Sequence, residues 1–259
     1  MNILSHLEGG VLRLTLDRPE KSNAFDDQVI ADLTAAFLKA AEDPEVRVVL
    51  LAASGKYFSA GGDLGWMQRM ATYTHDENLA DARGLARLMR SIDLCPKPTV
   101  ARVQGSAFAG ATGLLACCDI VVAVPAAQFA ITEVRLGLIP AVISPYIVRA
   151  MGIRQARRWS LTAERFSAEQ AKAMGLVHEI AEPEALDAVV QAQIDAILLA
   201  SPAALGETKS LLAHVDQPLT EDVIDETARR IARLRASPEG REGVTAFLEK
   251  RLPAWRSKP

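Results

Sequence analysis

Cysteine is scarce in this 259-residue chain: Cys95, Cys117 and Cys118 are an odd set with two members adjacent. That argues against a disulfide framework and fits reduced thiols in a cytoplasmic protein. There is no excess of one charge; the net value is −3, so nothing in the balance favours nucleic acid or an anionic membrane as partner. No apolar run approaches the ~18 residues of a membrane-spanning helix, and Met1–Gly10 lacks a charged-then-apolar leader. The four histidines, His6, His75, His178 and His214, show no metal-ligand spacing. What is present is ordinary for a soluble globular chain, with 49% hydrophobic and 24% charged residues and enough length to bury a full core.

Val11–Leu16 alternates apolar and polar residues and reads as a half-buried strand. A turn, DRPEKSNAF, leads to Asp26 and an amphipathic helix with acids in its first turn. Val46–Ala52 is a nearly continuous apolar run, expected as a strand covered on both faces. Strand, helix, strand in this order argues for a right-handed crossover and an α/β class. His75–Ser91 reads as a helix and Thr99–Val103 as a strand. After Pro140 come helices, one stopping at Gly152 and one opened by a Ser167–Gln170 capping box and closed by Gly175. Leu176–Ile180 reads as a short strand and Glu184–Leu199 as a long helix. Beyond Ser201 only helix signals remain, which divides the chain into 1–200 and 201–259.

Two places share one design. VVLLAA leads to FSAGGDL, and TVARV leads to GSAFAGATG; each is a buried strand delivering a small-residue loop. Small residues let backbone N–H groups approach a ligand closely, and a helix opening there points its positive end at it. About twenty residues on stands a single acid among apolar neighbours, Glu133, whose proton affinity a pocket would raise. The pattern is that of an anion hole with one general acid/base.

Six segments in order then carry a resemblance: RPEKSNAF, FSAGGDL, QGSAFAGA, CDI, QFAITEVRLGLIP and LTAERFSAEQAKAMGLV. Together they resemble the crotonase (enoyl-CoA hydratase/isomerase) superfamily over nearly the whole chain. The resemblance implies a spiral of ββα units and a C-terminal helical region that assembles trimers or hexamers. It implies that the Gly62 and Gly110 N–H groups hold a thioester oxygen and that Glu133 is a catalytic acid. Ala60 and its neighbours, with Asp63 and Leu64, are implied at the adenine site, although Asp63 equally reads as a helix cap. Lys21, and Lys250 from a neighbouring subunit, are candidates for CoA phosphates or plain surface lysines. Arg135 is either a solvated cation or the partner of a second carboxylate on the acyl group. Coenzyme A enters as part of the substrate, with no separate cofactor and no metal. EVRLGLIPAVISPYIV and the RIARLRASPEGREGVTAFLEKRLPAW ending resemble methylglutaconyl-CoA and isohexenylglutaconyl-CoA hydratases most. The second glutamate of the family would fall at Gly113, leaving Glu133 as the one matched acid. Hydration is the leading expectation, with Δ3-Δ2 enoyl-CoA isomerisation and non-catalytic acyl-CoA binding as rivals.

Overall fold

A computed structural model describes residues 2–256. The chain opens with a hairpin of β1 (Ile3–Glu8) and β2 (Val11–Leu16), joined through Gly9 and Gly10 at φ 55° and 81°. Positive φ at both turn residues matches the right-handed twist of the strands. β1 has no counterpart in the sequence pattern, because as an edge strand it buries only Ile3 and keeps no alternation.

Asp26 then caps α1 (Asp27–Glu42) by accepting from the Val29 N–H. Val29, Ile30, Leu33, Phe37 and Ala40 face the core at helical spacing. β3 (Val48–Ala53) lies parallel to β2 with every residue buried, the two-sided cover expected of its apolar run. α2 (Leu64–Met70) and α3 (His75–Asp93) follow, the latter opened by a Thr74–Glu77 capping box. β4 (Thr99–Val103), the short β5 (Ala107–Phe108), α4 (Gly110–Ala116), β6 (Ile120–Ala123) and β7 (Gln128–Ala130) complete the middle of the chain.

α5 (Ser144–Thr162) breaks at Gly152, whose φ 72° and ψ 151° are not helical, where the sequence places its stop. β8 (Phe166–Ser167), α6 (Ala168–Met174) with the predicted capping box, and β9 (Glu179–Ile180) come next. α7 (Leu186–Leu198) precedes the C-terminal helices α8 (Pro202–Val215), α9 (Glu221–Ala236) and α10 (Pro238–Leu248).

The strands form two sheets. The larger has the order β1-β2-β3-β4-β6-β9 and is parallel except for the opening hairpin. The smaller has the order β5-β7-β8. The β4–β6 and β6–β9 crossovers carry the small-sheet strands, and the isolated bridges Phe25–Gly62 and Ser59–Ala107 join the two earlier crossovers to them, which brings loops from distant stretches to one place.

Candidate active site

The first small-residue loop follows β3 and is held from three sides. The Ser59 carbonyl accepts from the Phe108 N–H at 3.1 Å, tying this loop to the second. The Ala60 N–H donates to Ser22 at 2.9 Å, and Phe25 joins in by donating to the Gly61 carbonyl (2.9 Å) and accepting from Asp63 (3.0 Å). Gly61 is obligatory: at φ 94°, a Cβ would lie 3.0 Å from the Phe108 carbonyl oxygen.

Beneath the loop, the motif Arg18–Phe25 is a buried clamp. Asn23 adopts φ 52° and donates to the Ser54 and Tyr57 carbonyls while accepting from the Arg18 N–H. The Arg18 guanidinium is buried against the Asp26 and Asp63 carboxylates at 3.0 and 3.4 Å. Asp63 also caps α2, accepting from the Gly65 and Trp66 N–H groups, and meets Lys21 at 3.1 Å. Burial alone pushes its carboxyl upward, but the bonds from Lys21, Trp66 and Gly65 outweigh this and hold it below its ordinary value.

The second loop is built from backbone. β5 pairs in parallel with β7, Phe108 opposite Ala130, and the Ala109 N–H donates to the Ala130 carbonyl at 2.8 Å. The buried Thr112 hydroxyl sits within reach of the Ala107 and Ala130 carbonyls, at 3.0 and 3.1 Å. Ala109 takes φ 51° and ψ −123°, a conformation costly for any residue with a Cβ. That sharp corner starts α4 at Gly110. A Cβ on Gly110 would meet the Phe25 ring at 3.0 Å, so Phe25 touches both loops. Neither the Gly62 nor the Gly110 N–H has an acceptor among the described residues. Two unpaired donors thus stand on two loops stitched edge to edge, an arrangement that suits an anion.

Glu133 lies three residues beyond β7, the strand paired with β5, so the same pairing carries it and Gly110 to one end of the small sheet. It opens a single turn, Glu133–Leu136, that Gly137 ends at φ 72°. Its Oε2 is buried with no hydrogen-bond partner. Burial pushes the carboxyl above its ordinary value of 4.5, against weaker pulls from its own and the Thr132 backbone N–H. An acid raised in this way is suited to giving and taking a proton near neutrality.

The family of enoyl-CoA hydratases/isomerases matches residues 6–258. The chain belongs to this family. A crystal structure of an enoyl-CoA hydratase from Shewanella pealeana shares 47% identity and a TM-score of 0.96, covering 98% of this chain and 96% of that one. An enoyl-CoA hydratase of Alternaria alternata is 35% identical over 93% of this chain and 79% of its own. The 1,2-epoxyphenylacetyl-CoA isomerase of Escherichia coli is 33% identical over 99% of this chain and 98% of its own. The α/β fold, with its mixed sheet and flanking helices, is therefore the crotonase fold.

Within this enoyl-CoA hydratase/isomerase frame, the remaining predicted residues separate. Asp63 does cap a helix, and Lys21 is engaged with it. Ala60 is exposed beside them, and Leu64 is 78% exposed on the first turn of α2. Arg135 is exposed two residues past Glu133 and forms no ion pair among the described residues. Lys250 stands in the turn after α10, at φ 55°, rather than on that helix, and no described bond ties it to the Glu133 segment. Cys117 and Cys118 are buried, and burial raises both thiols, as small apolar side chains.

Gly113 carries the main finding that sequence reading missed. It is not an empty position: a Cβ there would lie 2.2 Å from Ile143 Cγ2, 2.6 Å from Ile143 Cβ and 3.4 Å from Met89 Cε. The apolar side chain that precedes α5 occupies the volume where any side chain at position 113, the place at which the resemblance implies a second acid, would begin. Nothing in the local sequence around Gly113 announces Ile143, thirty residues away. Arg18, Asn23 and Phe25 were visible only as part of a motif, with no role assigned.

Proposed function

We propose that this enoyl-CoA hydratase/isomerase family member hydrates a branched α,β-unsaturated acyl-CoA that carries a second carboxylate, of the 3-methylglutaconyl-CoA type. The observation that carries the reading is Glu133: a raised carboxyl with one buried, unpartnered oxygen, set at the same sheet end as two free N–H donors. The Glu133 carboxylate removes a proton from water as the water oxygen bonds the β-carbon. The π electrons move onto the thioester oxygen, where the Gly62 and Gly110 N–H groups stabilise the enolate. The enolate then takes the same proton back from Glu133 at its α-carbon, so one acid completes the addition on one face. Each donor contributes about 3 kcal/mol to such a transition state.

The carboxylated substrate is supported by Arg135, an unpaired cation next to Glu133, and by the EVRLGLIPAVISPYIV likeness. Replacing Glu133 by Gln is expected to lower kcat about 10²–10⁴-fold with KM little changed. Turnover retained within a few-fold overturns the assignment. Loss of the conjugated thioester absorbance, followed for crotonyl-CoA and 3-methylglutaconyl-CoA side by side, tests the substrate; equal rates remove the carboxylate claim.

One observation favours a second reading. With Ile143 closing the place of the second acid, the site suits Δ3-Δ2 isomerisation, which needs one base and the anion hole. A 3-enoyl-CoA that gains conjugated absorbance faster than a 2-enoyl-CoA loses it decides for isomerisation. In either reading coenzyme A is part of the substrate and the enzyme works in the cytoplasm. Residues 201–259 serve assembly into trimers or hexamers, a role supported by the exposed Leu219, Val244, Phe247 and Leu248. Lys250 would meet the CoA of a neighbouring subunit there.

A further inference from the structure

A large cavity, about 1180 Å³, lies away from the glycine donors and Glu133. Its lining includes Ala116, Cys117 and Cys118 from the end of α4 and Pro145 and Val148 from the start of α5. It thus lies along the same two helices that bring Gly113 and Ile143 together. Met89 of α3 stands between. Its methyl Cε is 3.4 Å from the Cβ position at Gly113, and its sulfur is 3.7 Å from Cys117 Sγ, which lines the cavity. Met89 is fully buried and Ile143 is 2% exposed, so the partition is dry.

We propose that Ile143 and Met89 form the closed end of the acyl site and set the length of acyl chain it accepts, with Met89 as a one-side-chain plug before the larger cavity. The proposal rests on the acyl-CoA reading above, in which Gly113 stands where the family's second acid would face the substrate. Ile143 is β-branched and stiff, and it fills the volume directly against the Gly113 backbone. Met89 is unbranched and adaptable, the weaker half of the wall. Four of the charges around the cavity are matched, Arg149 with Asp93 and Lys209 with Asp119, and Asp216 is the one lining charge without an ion pair among the described residues. Removing Met89 would join site and cavity, and each further methylene then buried is worth about fourfold in binding.

The test compares wild type with Met89→Ala on crotonyl-, hexenoyl-, octenoyl- and decenoyl-CoA. Wild-type kcat/KM is expected to fall at least about tenfold from crotonyl to decenoyl, and Met89→Ala to raise the decenoyl-to-crotonyl ratio by about tenfold or more. Adding Ala116→Leu, which puts a side chain into the cavity, should return the ratio toward wild type. A wild type that takes decenoyl-CoA as well as crotonyl-CoA overturns the proposal, as does an unchanged ratio in folded Met89→Ala. Should that variant not fold, Met89→Val carries the same expectation with a smaller shift, and an unchanged ratio there also overturns it. If wild type turns over no enoyl-CoA, the hydratase reading fails, and calorimetric binding of butyryl-CoA against decanoyl-CoA judges the wall alone. A ratio shifted toward decanoyl-CoA in the Met89 variant supports the wall; an unshifted one sinks it.

Discussion

The two small-residue loops share one design and differ in how they are held. The loop at Ser59–Asp63 has backbone bonds to Ser22, Phe25 and Phe108 and is braced by buried side chains: Asn23 on the Ser54 and Tyr57 carbonyls that lead into it, and Arg18 between two carboxylates with Lys21 outside. The loop at Ala107–Gly110 is clamped by backbone pairing to β7, one threonine hydroxyl and a strained Ala109. The difference follows from the neighbours available. The second loop runs beside a strand and finds ladder partners. The first emerges from the large sheet beside the Arg18–Phe25 turn, whose backbone satisfies the Gly61 carbonyl while its buried polar side chains brace the chain on either side. One donor is therefore sensitive to charge and the other to volume.

Removing the charge clamp has the largest expected effect. Arg18→Met leaves Asp26 without its cation and Asp63 with Lys21 alone, and is expected to cost about 3–5 kcal/mol, read from urea midpoints. A loss under about 1 kcal/mol would break the comparison, since the first loop would then be standing on backbone too.

Next is a pair of glycine substitutions. Gly110→Ala drives a methyl to 3.0 Å from the Phe25 ring and should cost about 1–3 kcal/mol. Gly62→Ala meets Trp66 at an ordinary 3.6 Å and should stay within about 0.5 kcal/mol. Equal losses at the two positions would erase the volume distinction.

Ala109→Gly is smaller still and opposite in direction. Relief of about 1–3 kcal/mol of strain is offset by roughly 0.5–1 kcal/mol of glycine entropy, so thermal unfolding should show stability unchanged or slightly raised. A clear drop in Tm means the corner is not strained.

The mildest test is pH. Asp63 is held below its ordinary value of 3.8, so the stability it contributes is present above that pH and is lost as pH falls through its lower folded value. The stability gap between wild type and Asp63→Asn should shrink in that acid window. Glu133 has the reverse sign: raised above 4.5 by burial, it favours folding below that pH and loses this as pH rises through its folded value. Glu133→Gln should therefore gain relative to wild type as pH rises, and a gap that is flat with pH would contradict the unpartnered burial.

Much of this was readable along the chain. Val48–Ala53 announced a doubly covered strand by its unbroken apolar run, and Ser167, Gln170 and Gly175 announced both ends of a helix. Strands of two or three residues, such as Phe166–Ser167 and Gln128–Ala130, were not readable, because pairing rather than periodicity makes them strands. The exposed β1 was missed for a related reason, since an edge strand with one buried residue keeps no pattern.

By itself the sequence determined the class of the fold, the two glycine loops and the isolated acid, because residue type sets backbone freedom and proton chemistry locally. Only the tertiary structure decided that the loops meet, through Phe108 on Ser59 and Phe25 between both. It alone decided that Ala109 bears strain, that Glu133 has an oxygen with no partner, and that Ile143 fills the space at Gly113. Each of these depends on which distant side chain occupies a given volume, and that is fixed by packing rather than by any local run of residues.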